Sequence, residues 1–213
     1  MVGAFRALGV LRRVPVLWIG AILALTLASI AWALAAVTVV LFPFGTVGLY
    51  VVAYHAVYRL RIAPREVLTL VRAYAWLAVQ WTAINAAVLG GLYAGLYGPD
   101  ADRVSGALQA VLSIVGLIWL GMQFFFWPLA FEQAHKRLLP TLRSAAYLLA
   151  ATPGFAATIL GAAVVVALVI NTLFPYGLAL VGGVALLGAE AVRDRLMAFG
   201  ATPQPAHIER HPE

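Results

Sequence analysis

The chain has 213 residues, of which 64% are hydrophobic and only 10% are charged. A soluble domain carries about 25% charged residues and a disordered chain far fewer apolar ones, so both classes are excluded. There is no cysteine, which removes disulfides, thiolate metal sites and cysteine nucleophiles, and the net charge of +6 comes from 13 Arg and 1 Lys against 8 acids. An all-α polytopic membrane protein remains. In that setting the basic excess speaks to the sidedness of a bilayer, not to nucleic acid.

Charged residues divide the chain into four uncharged runs: Val14–Tyr58 (45 residues), Ala73–Pro99 (27), Val104–Phe131 (28) and Ser144–Ala189 (46). One helical crossing takes about 20 residues. The outer runs therefore hold two spans each and the middle runs one each. This predicts a transmembrane helical bundle of six spans, 2+1+1+2, over 14–41, 45–59, 75–97, 104–130, 153–174 and 176–191. Residues 1–199 form one domain, and 200–213 a disordered tail carrying prolines and histidines. The basic start and the small residues near Ala31-Trp32-Ala33 resemble a signal peptide, but the apolar run does not stop where such a region ends. The first span is expected to be retained.

Each outer run contains a turn candidate, Leu41-Phe-Pro-Phe-Gly45 and Leu173-Phe-Pro-Tyr-Gly177. Proline lacks an N–H and glycine tolerates positive φ, so both pentapeptides are expected to be hairpin turns at one interface. Pro64 suits the first position of a helix, and Arg65 and Arg72 share one face of it. A short amphipathic stretch is predicted there, turning into the third span, and a second one at 140–147 before Pro153. In the third span Gly91 and Gly95 have the spacing that lets helices approach closely, within the chain or between copies.

Arginine placement predicts orientation. Thirteen of the fourteen basic residues flank the spans on one side, and Arg103 alone falls on the other. By the positive-inside rule both termini are cytoplasmic. Arg61, Arg65, Arg72, Lys136, Arg137 and Arg143 are the candidate contacts to anionic lipid or to a partner.

An ionisable residue inside a bilayer is expensive and marks function. None lies at mid-span. His55, Glu132 and Glu190 sit near the cytoplasmic span ends and form a candidate mouth. Arg193 and Asp194 follow Glu190 by one turn, which suits a local ion pair. Gln80, Asn85, Gln123 and Asn171 are neutral polar residues within spans. They serve either as hydrogen-bonding glue between helices or as the lining of a polar cavity. No serine-hydrolase, zinc-protease or phosphate-loop pattern occurs, so no enzyme is expected. His207 and His211 stand four apart in a proline-rich tail with no third ligand, and neither a metal nor a cofactor is expected.

The stretch from Trp32 through Leu41-Phe-Pro-Phe-Gly45 to Tyr50, with Arg59 and Arg61 after it, resembles the opening hairpin of the YesL-like bacterial membrane proteins. Phe126-Trp-Pro-Leu-Ala-Phe-Glu132 and Leu142-Arg-Ser-Ala-Ala-Tyr-Leu-Leu-Ala-Ala-Thr-Pro153 are similar to a second part of that family. The likeness covers most of Val14–Phe174, and its motifs are loose and hydrophobic. It implies a membrane bundle with no established catalytic or binding residues, and an accessory role beside a carbohydrate transporter. Two functional readings follow. The first is a non-catalytic accessory or scaffold protein in a transporter complex. The second is a small carrier or channel for a neutral solute, acting as a homo-oligomer.

Overall fold

The computed structural model describes residues 2–38, 40–61, 63–99, 105–133, 136–172 and 180–201, with backbone alone for 2–5. These residues form nine helices and no strand: α1 (Val2–Gly20), α2 (Ile22–Val37), α3 (Phe42–Val57), α4 (Pro64–Ala73), α5 (Ala75–Tyr97), α6 (Gly106–Glu132), α7 (Leu138–Ala151), α8 (Pro153–Thr172) and α9 (Val181–Ala198). The second pentapeptide, Arg103 and the two tail histidines lie outside the described residues.

Three helices, α5, α6 and α8, are long and apolar enough to cross a membrane, and the pair α1–α2 adds a fourth if it counts as one span. Protein covers only 17% of the most apolar stretch of α5 and 22% of that in α6 and α8. Water would not tolerate so much bare apolar helix, and lipid would. The chain is a helical membrane protein.

The first run departs from expectation in two places. The span expected over 14–41 is divided, because α1 and α2 meet at an 89° corner at Ala21. Gly20, a weak helix former, precedes the corner, and no charge or proline announces it. The turn expected at Leu41–Gly45 lies earlier, where the Leu41 and Phe42 N–H groups both donate to Thr38 O, at 3.0 and 3.1 Å. Pro43 stands in the first turn of α3, where its missing N–H costs nothing. Gly45 is therefore helical and faces α2: a Cβ there would stand 2.7 Å from the Ala35 Cβ.

Burial concentrates where the helices come together. Every residue of Val51–Val57 on α3, Phe125–Phe131 on α6 and Ala185–Val192 on α9 is buried. Helix α9 is the axis, in contact with α1, α2, α3, α6 and α8. Of the span expected at 176–191, residues 181–191 are helical and 176–179 lie outside the described residues; this helix, α9, runs on to Ala198, carries Glu190, Arg193, Asp194 and Arg195, and is not among the described helices apolar enough to cross a membrane. The close approach of α9 to α2 needs Gly182, whose N–H donates to Ser29 Oγ at 2.9 Å while that hydroxyl donates to Leu25 O at 2.7 Å. Helix α4 lays Leu70 on the core and leaves Arg65 and Arg72 exposed. Gly95 of α5 meets Leu112 of α6, whereas a Cβ on Gly91 would meet nothing within 4 Å.

Candidate functional site

The C-terminal ends of α3 and α6 converge on α9, and this links two of the three mouth candidates, Glu132 and Glu190, through Tyr58 and Arg193, while His55 pairs elsewhere with Glu66. Glu132 ends α6, and the Tyr58 hydroxyl after α3 donates to its Oε1 across 74 positions of sequence. The rings of Tyr54 and Tyr58 lie 4.6 Å apart, and Tyr74 packs edge-on to Phe131 at 4.9 Å. Burial and the nearby Glu132 carboxylate push the Tyr74 hydroxyl up to about 12.

Glu190 is fully buried yet doubly paired. Arg13 Nε lies 3.2 Å from it and Arg193 Nη1 3.4 Å. Arg13 also reaches Asp194 at 2.7 Å, and Asp194 accepts from the buried Arg195 at 2.6 Å. Arg193 donates to the Val57 carbonyl at 3.3 Å and stacks over the Tyr58 ring at 5.3 Å. One guanidinium thus links the Glu190 group to the Tyr58–Glu132 pair. His55 is buried on α3, with Nδ1 2.8 Å from Val51 O and Nε2 3.5 Å from the exposed Glu66. Among the described residues no three His, Asp or Glu side chains group as metal ligands.

Two of the four amide candidates meet. Gln123 Oε1 on α6 accepts from Trp81 Nε1 at 2.6 Å and from Asn85 Nδ2 at 3.1 Å, both on α5. Asn85 Nδ2 also donates to Trp81 O at 2.8 Å, and Asn85 Oδ1 accepts from Trp119 Nε1 at 3.0 Å. Gln80 is half-buried outside this network, and Asn171 is exposed near the end of α8. Beside the network is a cavity of about 320 Å³ walled by Trp32, Phe42, Trp81, Gln123, Phe124 and Trp127. Gln123 Nε2 and Trp127 Nε1 are buried there with no hydrogen-bond partner among the described residues.

Comparison of the chain with protein-family models, with curated proteins and with solved structures finds no match.

The six basic contact candidates do not form one cluster. Arg61 lies in the loop after α3, Arg65 and Arg72 on α4, Arg137 before α7 and Arg143 on α7, all exposed. The exposed Lys136 places its Nζ 4.6 Å from the centre of the Tyr74 ring. Arg143 edges a separate cavity of about 810 Å³ with Glu132, Gln133 and Ser144. Sequence reading missed Tyr58 as the partner of Glu132 and Arg13 as the partner of Glu190 and Asp194. It also missed Trp81 and Trp119 as donors to the amides. The available signals were local: Tyr54 and Tyr58 one turn apart, and Trp81 and Asn85 at the same spacing.

Proposed function

We propose that this chain is a non-catalytic membrane scaffold, an accessory subunit for another integral membrane protein. The observation that carries this reading is the network of Trp81, Asn85, Trp119 and Gln123. Amides that hydrogen-bond across α5 and α6 act as glue that holds the two helices together. The long apolar faces of α5, α6 and α8 supply surface for neighbouring helices. A carbohydrate transporter is the partner class implied by the likeness to YesL-like proteins. Purification of the tagged chain in mild detergent, followed by mass spectrometry, tests the reading. Co-purifying transporter subunits support it, and recovery of the chain alone counts against it.

The topology proposed with it has six crossings in a bacterial inner membrane, with the α1–α2 pair as a broken first crossing and both termini in the cytoplasm. Its support is the meeting of the arginine-bearing ends: Arg13 with Asp194, and Arg193 with Val57 and Tyr58. Accessibility tags near residue 101 and at both termini check it. A 101 tag on the same side as the termini, or termini on opposite sides, removes it.

A second reading, a carrier for a neutral solute, draws on the aromatic cavity and its unpartnered Gln123 and Trp127 donors. Flux of sugars into proteoliposomes, lost in Gln123→Leu, would favour it. Flux absent or unchanged in the variant would remove it.

A further inference from the structure

Between α1, α3 and α9 lies an open cavity of about 750 Å³ lined by Arg12, Arg13, Arg59 and Arg193, with Tyr58 and Glu190 in its wall. Four arginines line it with one lining carboxylate, Glu190, and Asp194 holds Arg13 at 2.7 Å from outside the lining. Glu190 holds Arg13 at 3.2 Å and Arg193 at 3.4 Å, so those two are positioned in advance. Among the described residues Arg12 and Arg59 pair with no carboxylate, and they supply the unbalanced charge.

Arg59 stands where backbone chemistry does not want it. Its φ of 55° is the one left-handed value outside glycine among the described residues. It follows α3 at the position where a helix is usually closed by glycine, with Arg59 N–H on Ala56 O at 3.2 Å and Leu60 N–H on His55 O at 2.9 Å. A side chain there is strained, and Arg59 is one of the residues that line the cavity.

A second cavity of about 630 Å³ adjoins the first, sharing Val16, Leu17 and Arg59. It runs along the α1–α2 corner and is otherwise apolar, lined by Ile22, Leu23, Ala56 and Leu60 among others. The two together are amphipathic: cationic at one end, greasy at the other, with Arg59 at the junction.

We propose that this composite cavity binds an anionic phospholipid, its phosphate among Arg12, Arg13, Arg59 and Arg193 and its glycerol and upper acyl chain along the corner at Ala21. Guanidinium forks match phosphate oxygens, and basic pockets between membrane helices hold lipid headgroups. The apolar extension favours a lipid over a free phosphate. The site does not depend on whether the chain is a scaffold or a carrier.

The test uses the full chain in nanodiscs of phosphatidylcholine, with and without phosphatidylglycerol, reading thermal stabilisation and the lipid retained in native mass spectrometry. Phosphatidylglycerol should stabilise the protein and remain bound. Arg59→Gly should relieve the left-handed strain, so the unfolding midpoint in phosphatidylcholine alone holds or rises while phosphatidylglycerol binding falls about tenfold. Arg12→Gln should weaken binding without the gain in midpoint, and Arg6→Gln, an exposed arginine of α1 outside both linings, should leave it unchanged. Binding undiminished in Arg59→Gly and Arg12→Gln, or lost equally in Arg6→Gln, overturns the proposal in favour of diffuse attraction to a charged leaflet. A response to inorganic phosphate in phosphatidylcholine alone, with none to phosphatidylglycerol, overturns the lipid assignment and leaves a soluble phosphate as the ligand.

Discussion

Pro128 of α6 cannot donate to the Phe124 carbonyl one turn before it, and Gly188 of α9 lies against that same carbonyl. A Cβ on residue 188 would stand 3.2 Å from Phe124 O and 3.5 Å from its ring. The two residues are one device: proline frees a backbone acceptor, and glycine lets a second backbone close over it. The axis helix is thereby seated against α6 in the middle of its buried stretch.

Gly188→Val should therefore lower the unfolding free energy by about 1–3 kcal/mol, the usual cost of overpacking. Gly161→Val on α8 is the control, because a Cβ there would meet nothing within 4 Å. Thermal unfolding in detergent separates them. Equal losses in the two variants would show that helix propensity, not the approach to Phe124, sets the effect.

Tyr58 and Glu132 give a second prediction. The hydroxyl donates to a half-buried carboxylate. Removing it in Tyr58→Phe should cost about 1–3 kcal/mol, because a charged acceptor loses a donor. A double-mutant cycle with Glu132→Gln should return a coupling of at least about 0.5 kcal/mol. Strict additivity would mean that the pair is proximity without interaction.

Legibility in the sequence followed the range of the physics. Prolines act locally, so the starts of α4 at Pro64 and α8 at Pro153 can be read directly. Charge-free length marks α5, α6 and α8 because lipid imposes it. The 89° corner at Ala21 is set by what α1 and α2 pack against, namely α8 and α9 for one and α3 for the other, and nothing at Gly20-Ala21 forces it. The position of Pro43 misled for the opposite reason: a residue that breaks a helix interior is at ease in its first turn. Site residues divide the same way. The Glu190–Arg193 pair is three residues long and readable, but Arg13 reaches Asp194 across 181 positions. Gln80 and Asn171 share amide chemistry with Asn85 and Gln123, and only packing decides which of the four meet.

The α5–α6 network predicts unequal amides. Asn85→Leu removes donations to Trp81 O and Gln123 and the acceptor of Trp119, and should cost about 0.6–2 kcal/mol in a membrane setting. Asn171→Leu, exposed on α8, should change stability by less than about 0.5 kcal/mol. Denaturant titration in mixed micelles measures both. A larger loss at Asn171 than at Asn85 would transfer the structural role to α8.

Glu190 is the counter-charge that two helices share. Its carboxylate is inaccessible to water, while Arg13 is 45% and Arg193 31% exposed. Removing the acid and removing a base are therefore different experiments. Glu190→Ala leaves Arg13 held by Asp194 and Arg193 by the Val57 carbonyl, with a void and two converging cations between them. A loss of about 1–3 kcal/mol is expected from the void and the lost pairing, since the cations left behind are partly exposed and keep other partners. Arg13→Ala leaves Glu190 still paired with Arg193, and its own half-exposed side chain regains little, so a smaller loss is expected. Glu190→Gln keeps the volume and some hydrogen bonding and should fall between the two. Unfolding midpoints ranked in that order would identify Glu190 as the electrostatic hinge between α1 and α9. A midpoint for Arg13→Ala below that for Glu190→Ala would move that role to Asp194.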